Sequence, residues 1–356
     1  MLIELTNTLI AGNKLSDGEV ALAVQGLTDE RLSAEVKAGF LTALANKGES
    51  PAELAAFAGA LRELSIFIPL DAATRQRDIL DVCGTGGDRL HTFNISSTVA
   101  IIAAAAGITV AKHGNRAITS QSGSADVLEA LNIRVDLSPD EAAQALREHH
   151  FAFLFAPRYH PAFKHIAPAR KLCAERGQRT IFNFLGPLLN PARPTCQLIG
   201  VPAPTLCEHL ARTLQTLGIR RGMVVSGKVP LPDGTVAGLD ELSTLGESTV
   251  AEFYQERALA VSSFDPACLP LQPATLNDLA GGDKHTNAAI MRRILRGEER
   301  GPKREAVLLN AGAALFVAGR VKSIAAGWEF AASLIDDGAA ARKLHDLQNA
   351  FPVATP

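Results

Sequence analysis

The chain has 356 residues, 47% of them apolar, with 35 basic against 37 acidic side chains and a formal net charge of −2. That length and apolar content are enough for two domains with sizeable cores. The even charge balance gives no electrostatic case for nucleic acid or a membrane surface as the main partner. The five cysteines are odd in number and include no CxxC pair. They suit a reducing cytoplasm and argue against a zinc site. The first residues carry Glu4 and no basic region, so they read as no signal peptide, and the run Val99–Ala111 is too short to span a bilayer and is split by Gly107.

Residues 1–68 read as helices only. Ser16 with Glu19, and Ser50 with Glu53, have capping-box spacing, and Leu54, Phe57, Ala58 and Leu61 recur at helical spacing. Residues 69–77 read as a linker. Strands then alternate with helices: Ile79–Cys83, a helix including Thr98–Ala106, Thr109–Lys112, Arg134–Leu137, a helix from Ser138, and Phe151–Phe155. The alternation resumes with Gln197–Val201, Thr205–Leu217 and Met223–Ser226. Residues 165–184 between the two runs are helical in pattern, and Pro232-Asp233-Gly234 predicts a turn or hairpin tip. The expected fold is α/β: a small all-helical domain and a larger domain with a mainly parallel central sheet flanked by helices.

The densest chemistry lies between Asp81 and Asn115. Gly84, Gly86 and Gly87 follow a strand, and Asn94, Ser96 and Ser97 sit near the start of the next helix. Glycines let the backbone approach an anion, and the free N–H groups of a helix start favour phosphate. No Lys follows these glycines as a Walker loop requires, and Arg89 stands where the dinucleotide fingerprint needs a third Gly. A bare βα turn would carry the same glycines. A second loop, residues 112–126, follows the next strand and supplies Lys112, Arg116, Asn115 and a series of hydroxyls. Cations with neutral donors suit a phosphate together with a sugar diol. Both loops fall at the carboxyl edge of the sheet, where open α/β folds bind ligands.

The motifs GTGGD (84–88), TFNIS (92–96), KHGNR (112–116), SGSAD (122–126), FLFAPxxHPA (153–162), RTIFNxLGPLxNP (179–191) and GLDE (238–241) occur in this order. With GEExGPxRxAVLLNAGAAL at 297–315, the chain resembles anthranilate phosphoribosyltransferase over essentially its whole length. That family belongs to a superfamily that includes the pyrimidine nucleoside phosphorylases. The resemblance implies that residues 1–68 form the helical domain, joined by the returning segment 165–185. Residues 76–160 and 190–356 would then form the α/β domain, with the active site in the cleft between the two. It also implies a homodimer and a cytoplasmic enzyme of tryptophan biosynthesis. The reaction would be attack of the anthranilate amine on phosphoribosyl pyrophosphate, with Mg²⁺ and no activated serine or cysteine.

Carried over residue by residue, the resemblance places phosphoribosyl pyrophosphate on Gly84, Gly87, Asp88, Thr92, Asn94, Ile95, Ser96 and Ser97. The second loop adds Lys112, His113, Gly114, Asn115, Arg116, Ala117, Ile118, Thr119 and Ser120, with Ser124. Anthranilate falls to Gly84, Asn115 and Arg170, whose guanidinium can grip a benzoate carboxylate with two parallel bonds. Asp240 and Glu241 alone would read as a solvated acidic pair; the resemblance makes them, with Ser96, the metal site. His113 reads as an orienting residue rather than a base. His160 and His165 have no third ligand nearby in sequence, His149, His150 and His285 read as surface residues, Arg292, Arg293 and Arg296 as a solvated helix face, and Trp328 as packing.

The sequence departs from the family pattern at four places. Ser97 stands where Thr is common, Gln121 replaces a Lys, and the segments 171–178 and 228–237 are longer than usual. The rival readings are a same-fold transferase or phosphorylase with another acceptor, and a non-catalytic nucleic-acid-binding paralogue. The first is opposed by KHGNR together with GTGGD, the second by the absence of a strongly basic composition.

Overall fold

The computed structural model describes residues 1–117, 121–254 and 258–351. The chain opens with helices Leu2–Ile10, Asp17–Thr28, Ala34–Lys47 and Pro51–Glu63. Both expected capping boxes form, at Ser16 and at Ser50. Glu53 does more than cap. Its buried carboxylate also accepts from the Leu15 amide at 3.0 Å and the Lys47 ammonium at 2.6 Å, tying the fourth helix to the turn before the second and to the end of the third.

Among the described residues eight strands form one sheet: β1 Ile79–Gly84, β2 Thr109–Gly114, β3 Phe151–Phe155, β4 Cys196–Gly200, β5 Arg221–Pro230, β6 Val236–Leu239, β7 Ser248–Tyr254 and β8 Ala260–Phe264. Their order is β3-β2-β1-β4-β5-β7-β8, with β6 paired to β5. The ladders from β3 through β5 are parallel, and β6, β7 and β8 add antiparallel neighbours. The extra length at 228–237 is the β5–β6 hairpin, with Gly234 at φ +82° in its tip.

Alternation along the strands gives the sheet two apolar faces. Leu80, Val82, Val110, Phe153, Leu198 and Met223 face the helix Ile95–Ala105 and the C-terminal helices, among which Trp328 is buried as expected. Ile199, Val224 and Phe253 face the other way, in one cluster with the N-terminal helices. That cluster also takes in Ile166, Ala169, Phe182 and Leu185 from the segment after β3. The Lys37 ammonium donates to the His165 carbonyl at 2.8 Å, fixing that segment against the third helix.

Several expectations need correction. Residues 134–137 form no strand. Ile133, Val135 and Leu137 are buried in alternation, as a strand would have them, but among the described residues no strand pairs with them; the Ile133 amide donates to the Leu128 carbonyl at 2.9 Å, the Tyr159 hydroxyl to the Leu137 carbonyl at 2.9 Å, and Arg134 bonds Asp136 and Glu141. The linker at 69–77 contains a short helix, Ala72–Gln76, because Asp71 caps it. His149 and His150 are not plain surface residues: His149 meets Asp346 at 3.0 Å and His150 meets Thr109 at 3.3 Å. Arg292 donates to the Ala130 carbonyl at 2.6 Å, and Arg293 pairs with Glu299, so the arginine cluster is not simply solvated. Among the described residues no helix is long and apolar enough to cross a membrane.

Candidate active site

Two neighbouring strands end in glycine at one edge of the sheet, Gly84 on β1 lying in register with Gly200 on β4, and the next strand, β5, carries Gly227 within its length. Above them runs the segment Asp240–Ser243. A Cβ on Gly84 would collide with the Asp240 carboxylate, one on Gly200 with the Asp240 carbonyl, and one on Gly227 would come 2.7 Å from the Glu241 carbonyl. The missing side chains are therefore what lets the acidic segment sit directly on the strand ends. From above, Asn310 clamps it. The Asn310 carboxamide accepts from the Leu242 amide at 2.9 Å and donates to the Leu242 carbonyl at 3.0 Å.

The seat fixes both carboxylates. Asp240 accepts from the Gly86 amide at 2.7 Å, and Glu241 from the Ser96 amide at 3.1 Å, so the glycine loop and the helix start each hold one. Burial pushes Asp240 well above the ordinary carboxylate range, and the neighbouring Asp88 and Glu241 carboxylates push it further. Burial raises Glu241 to about 7 against the partial relief of Lys112. The Lys112 ammonium, itself buried, donates to the Val82 carbonyl at 2.6 Å and the Ser96 hydroxyl at 3.2 Å.

Three crowded carboxylates with one buried ammonium nearby leave negative charge uncompensated, and oxygen donors of this kind fit a hard divalent cation. Among the described residues no three His, Cys, Asp or Glu side chains converge into a ligand cage. The Ser97 hydroxyl and the Thr85 hydroxyl are buried beside this edge without a hydrogen-bond partner among the described residues, as donors awaiting a ligand would be.

The second loop leaves the same edge from β2. Gly114 admits Ser124 and Phe153 where a Cβ would clash, and the Ser124 hydroxyl donates to the Asn115 carbonyl at 3.3 Å. Asn115 is exposed. Arg116 is engaged: it pairs with Asp126 at 3.1 Å and Glu129 at 2.6 Å and stacks over Phe155. The Ala117 amide bonds Asp126 at 2.9 Å. Ile118, Thr119 and Ser120 lie outside the described residues. On the other side, Thr92 bridges to Ala280 and the Phe93 amide donates to the Leu279 carbonyl, so residues 92–93 run beside the segment before the helix Lys284–Leu295.

His113 turns away from this edge toward the segment after β3. Its Nδ1 lies 3.2 Å from the Gly186 carbonyl and its Nε2 3.2 Å from Nε2 of His160. Burial lowers His113 to about 3 and His160 to about 4, so both are neutral near pH 7. Neutral His113 donates from Nδ1 to Gly186 and accepts from His160 at Nε2, which makes it a shaping residue rather than a free base. Contacts then run from ring to ring: His113 to His160 at 5.1 Å, His160 to Phe163 at 5.4 Å, Phe163 to Phe182 at 5.6 Å, and Arg170 over Phe182 at 5.2 Å. This chain connects Arg170, on the helix Ala167–Glu175, to the end of β2. Among the described residues no carboxylate pairs with Arg170, and burial lowers its pKa.

Spacing in sequence could not indicate several residues that hold the site. Asp81 is fully buried and accepts from Asn190 at 2.9 Å and the His113 amide at 3.3 Å. Burial raises it to about 6, against Asn190, Lys112 and backbone donors. Asn310 and Gly200 are likewise neighbours of the acidic segment only in space.

Residues 3–65 match the helical bundle domain, and residues 76–341 the a/b domain, of a glycosyl transferase family. An anthranilate phosphoribosyltransferase of Methanosphaerula palustris is 43% identical, covering 98% of this chain and 98% of its own. The chain belongs to the anthranilate phosphoribosyltransferase family. The crystal structure of the Thermus thermophilus enzyme is 39% identical and superposes with a TM-score of 0.86, over 97% of this chain and 98% of that one. The Saccharomyces cerevisiae enzyme, solved in complex with PRPP and Mg, is 26% identical, with a TM-score of 0.84 over 98% and 97%. Family and fold thus stand as the ordered motifs implied.

Proposed function

We infer that the protein transfers the phosphoribosyl group of phosphoribosyl pyrophosphate to the amine of anthranilate. The products are N-(5-phosphoribosyl)anthranilate and pyrophosphate, a step of tryptophan biosynthesis. The observation that carries this reading is the acidic segment Asp240–Glu241 seated on the glycine ends of β1 and β4, beside the orphan hydroxyls of Thr85 in the glycine loop and Ser97 at the helix start. Asp240, Glu241 and Ser96 are the residues that would hold Mg²⁺. When bound, the ion stabilises charge developing on the departing pyrophosphate.

The other residues bind and orient. The glycine loop and the start of the helix Ile95–Ala105 present amides and hydroxyls to the phosphoribosyl pyrophosphate, and Lys112 adds a fixed positive charge behind Ser96. Loop 112–117 with Ser124 forms the facing wall. Anthranilate lies between Gly84, Asn115 and Arg170, whose guanidinium holds its carboxylate. No residue needs to abstract a proton before the amine attacks C1, because deprotonation can follow C–N bond formation. The domain division follows the same reading: helices 1–68 with segment 165–185 close the cleft against 76–160 and 190–356.

Fluorescence-monitored consumption of anthranilate, with and without Mg²⁺, tests the activity, and no turnover by the intact protein refutes it. Arg170→Ala tests the acceptor site. Losing a charge-assisted pair costs about 1.5–3 kcal/mol, so the KM for anthranilate should rise roughly 10- to 100-fold while the KM for phosphoribosyl pyrophosphate stays constant. An unchanged anthranilate KM would remove Arg170 from the site.

The partner we infer for the chain itself is a second copy. Ile3 and Ile10 of the first helix are 62% and 71% exposed, with Met1 and Leu22 also on the surface of the helical layer, an apolar display that suits a subunit contact. Sedimentation equilibrium at micromolar concentration should return a dimer mass, and a monomer would exclude it. Five free cysteines, three of them buried, suit the reducing cytoplasm; co-fractionation with a cytoplasmic marker checks that placement.

A further inference from the structure

Asn94 occupies the N-cap position of the helix Ile95–Ala105, yet its side chain makes no capping hydrogen bond. An Asn at that position ordinarily accepts from a first-turn amide. Here the side-chain oxygen is held elsewhere. Asn287, on the helix Lys284–Leu295, donates from Nδ2 to Asn94 Oδ1 at 2.9 Å. Asn287 is 2% exposed and lies 193 residues away in the chain.

The direction of every bond in this set follows from one group that cannot be reversed. The Gly282 backbone N–H donates to Asn287 Oδ1 at 2.8 Å. A backbone amide is only a donor, so the atom facing it is the oxygen. The Asn287 nitrogen must therefore face Asn94, and Asn94 must answer with its own oxygen. That leaves the Asn94 NH₂ group pointing away from Asn287, toward the loop at Ser122, whose carbonyl is 3.5 Å away. Gly281 permits the arrangement, since a Cβ there would come within 2.8 Å of both Asn287 Oδ1 and the Phe93 backbone.

We propose that Asn287 is a positioning residue for donor-substrate binding: it locks the Asn94 carboxamide so that a hydrogen-bond donor, never an acceptor, faces the phosphoribosyl pyrophosphate anion. The inference rests on the function proposed above. A reversed amide would present an oxygen lone pair to a polyanion, so the lock removes a repulsive alternative as well as supplying an attractive contact. The C-terminal helices thereby bear on a loop that precedes them by almost 200 residues.

Asn287→Asp tests it. The aspartate still accepts from Gly282 but cannot donate to Asn94, so the Asn94 amide turns to donate to the aspartate and shows its oxygen to the substrate. The KM for phosphoribosyl pyrophosphate should rise by about tenfold, the scale of one lost hydrogen bond, with the anthranilate KM nearly unchanged. The same substitution made in an Asn94→Ala background should change the KM by less than about twofold, because the group it acts through is gone. An equal effect in both backgrounds, or parallel changes in both KM values and Tm, overturns the proposal in favour of a charge or folding effect. If N287D does not fold, Asn287→Ala carries the same cycle with the same two outcomes. Wild-type protein that turns over normally while the cycle shows no coupling refutes this inference alone; wild-type protein without turnover refutes the parent reading.

Discussion

Alanine at both Asp240 and Glu241 is expected to lower kcat by about 10³-fold or more, the scale on which losing one preorganised charge-stabilising group already acts. The variant should nevertheless fold. Asp240 and Glu241 are crowded with Asp88 where burial disfavours each charge, and alanine relieves that repulsion. The lost hydrogen bonds from the Gly86 and Ser96 amides offset part of the gain. Thermal unfolding in metal-free buffer should therefore give a Tm equal to or above that of the parent, a trade of stability for function. Calorimetric titration of Mg²⁺ in the presence of phosphoribosyl pyrophosphate should lose its signal. Retained turnover at the parent rate would show that the acidic pair does not hold the metal. A Tm that falls steeply would show that the pair serves the fold.

Much of this architecture was legible because the local signals agree with one another. Ser16, Ser50 and Ser138 sit three residues before Glu, and all three boxes form. Strands β1 to β3 appear where short apolar runs meet glycine or histidine. Arg134–Leu137 has the right alternation and still fails as a strand, because alternation reports burial on one side of an extended chain and not a hydrogen-bonding neighbour. The glycine loop was legible as an anion site. The seating of Asp240 on Gly200 was not, because it joins residues 40 positions apart through the backbone of a loop. His113 and His160 are 47 apart and meet only where β2 faces the segment after β3. The buried amides Asn190, Asn287 and Asn310 carry no local pattern, since a buried carboxamide is specified by the groups around it rather than by its neighbours in sequence.

Gly200→Ala is the second large effect. The added methyl would overlap the Asp240 carbonyl and stand 3.0 Å from the Glu241 amide, so the atoms in its way belong to backbone and cannot swing aside as a side chain would. β4 cannot retreat, because Gly200 is paired with Gly84 on one side and Val225 on the other. The segment above must lift instead, against the Asn310 clamp on Leu242. A displacement of about 1 Å in a catalytic group is worth roughly 100-fold in rate, and the strain of one extra methyl in a packed site is about 1–3 kcal/mol. Kinetics should show kcat reduced about 100-fold and a weaker Mg²⁺ dependence, with a moderate fall in Tm. Gly39→Ala supplies the contrast: a Cβ there meets nothing within 4 Å, in the helix Ala34–Lys47. That substitution should leave activity intact and stabilise the protein by about 0.5–1 kcal/mol. Normal activity in G200A would mean that the acidic segment moves without consequence, and the glycine seat would then have no part in catalysis.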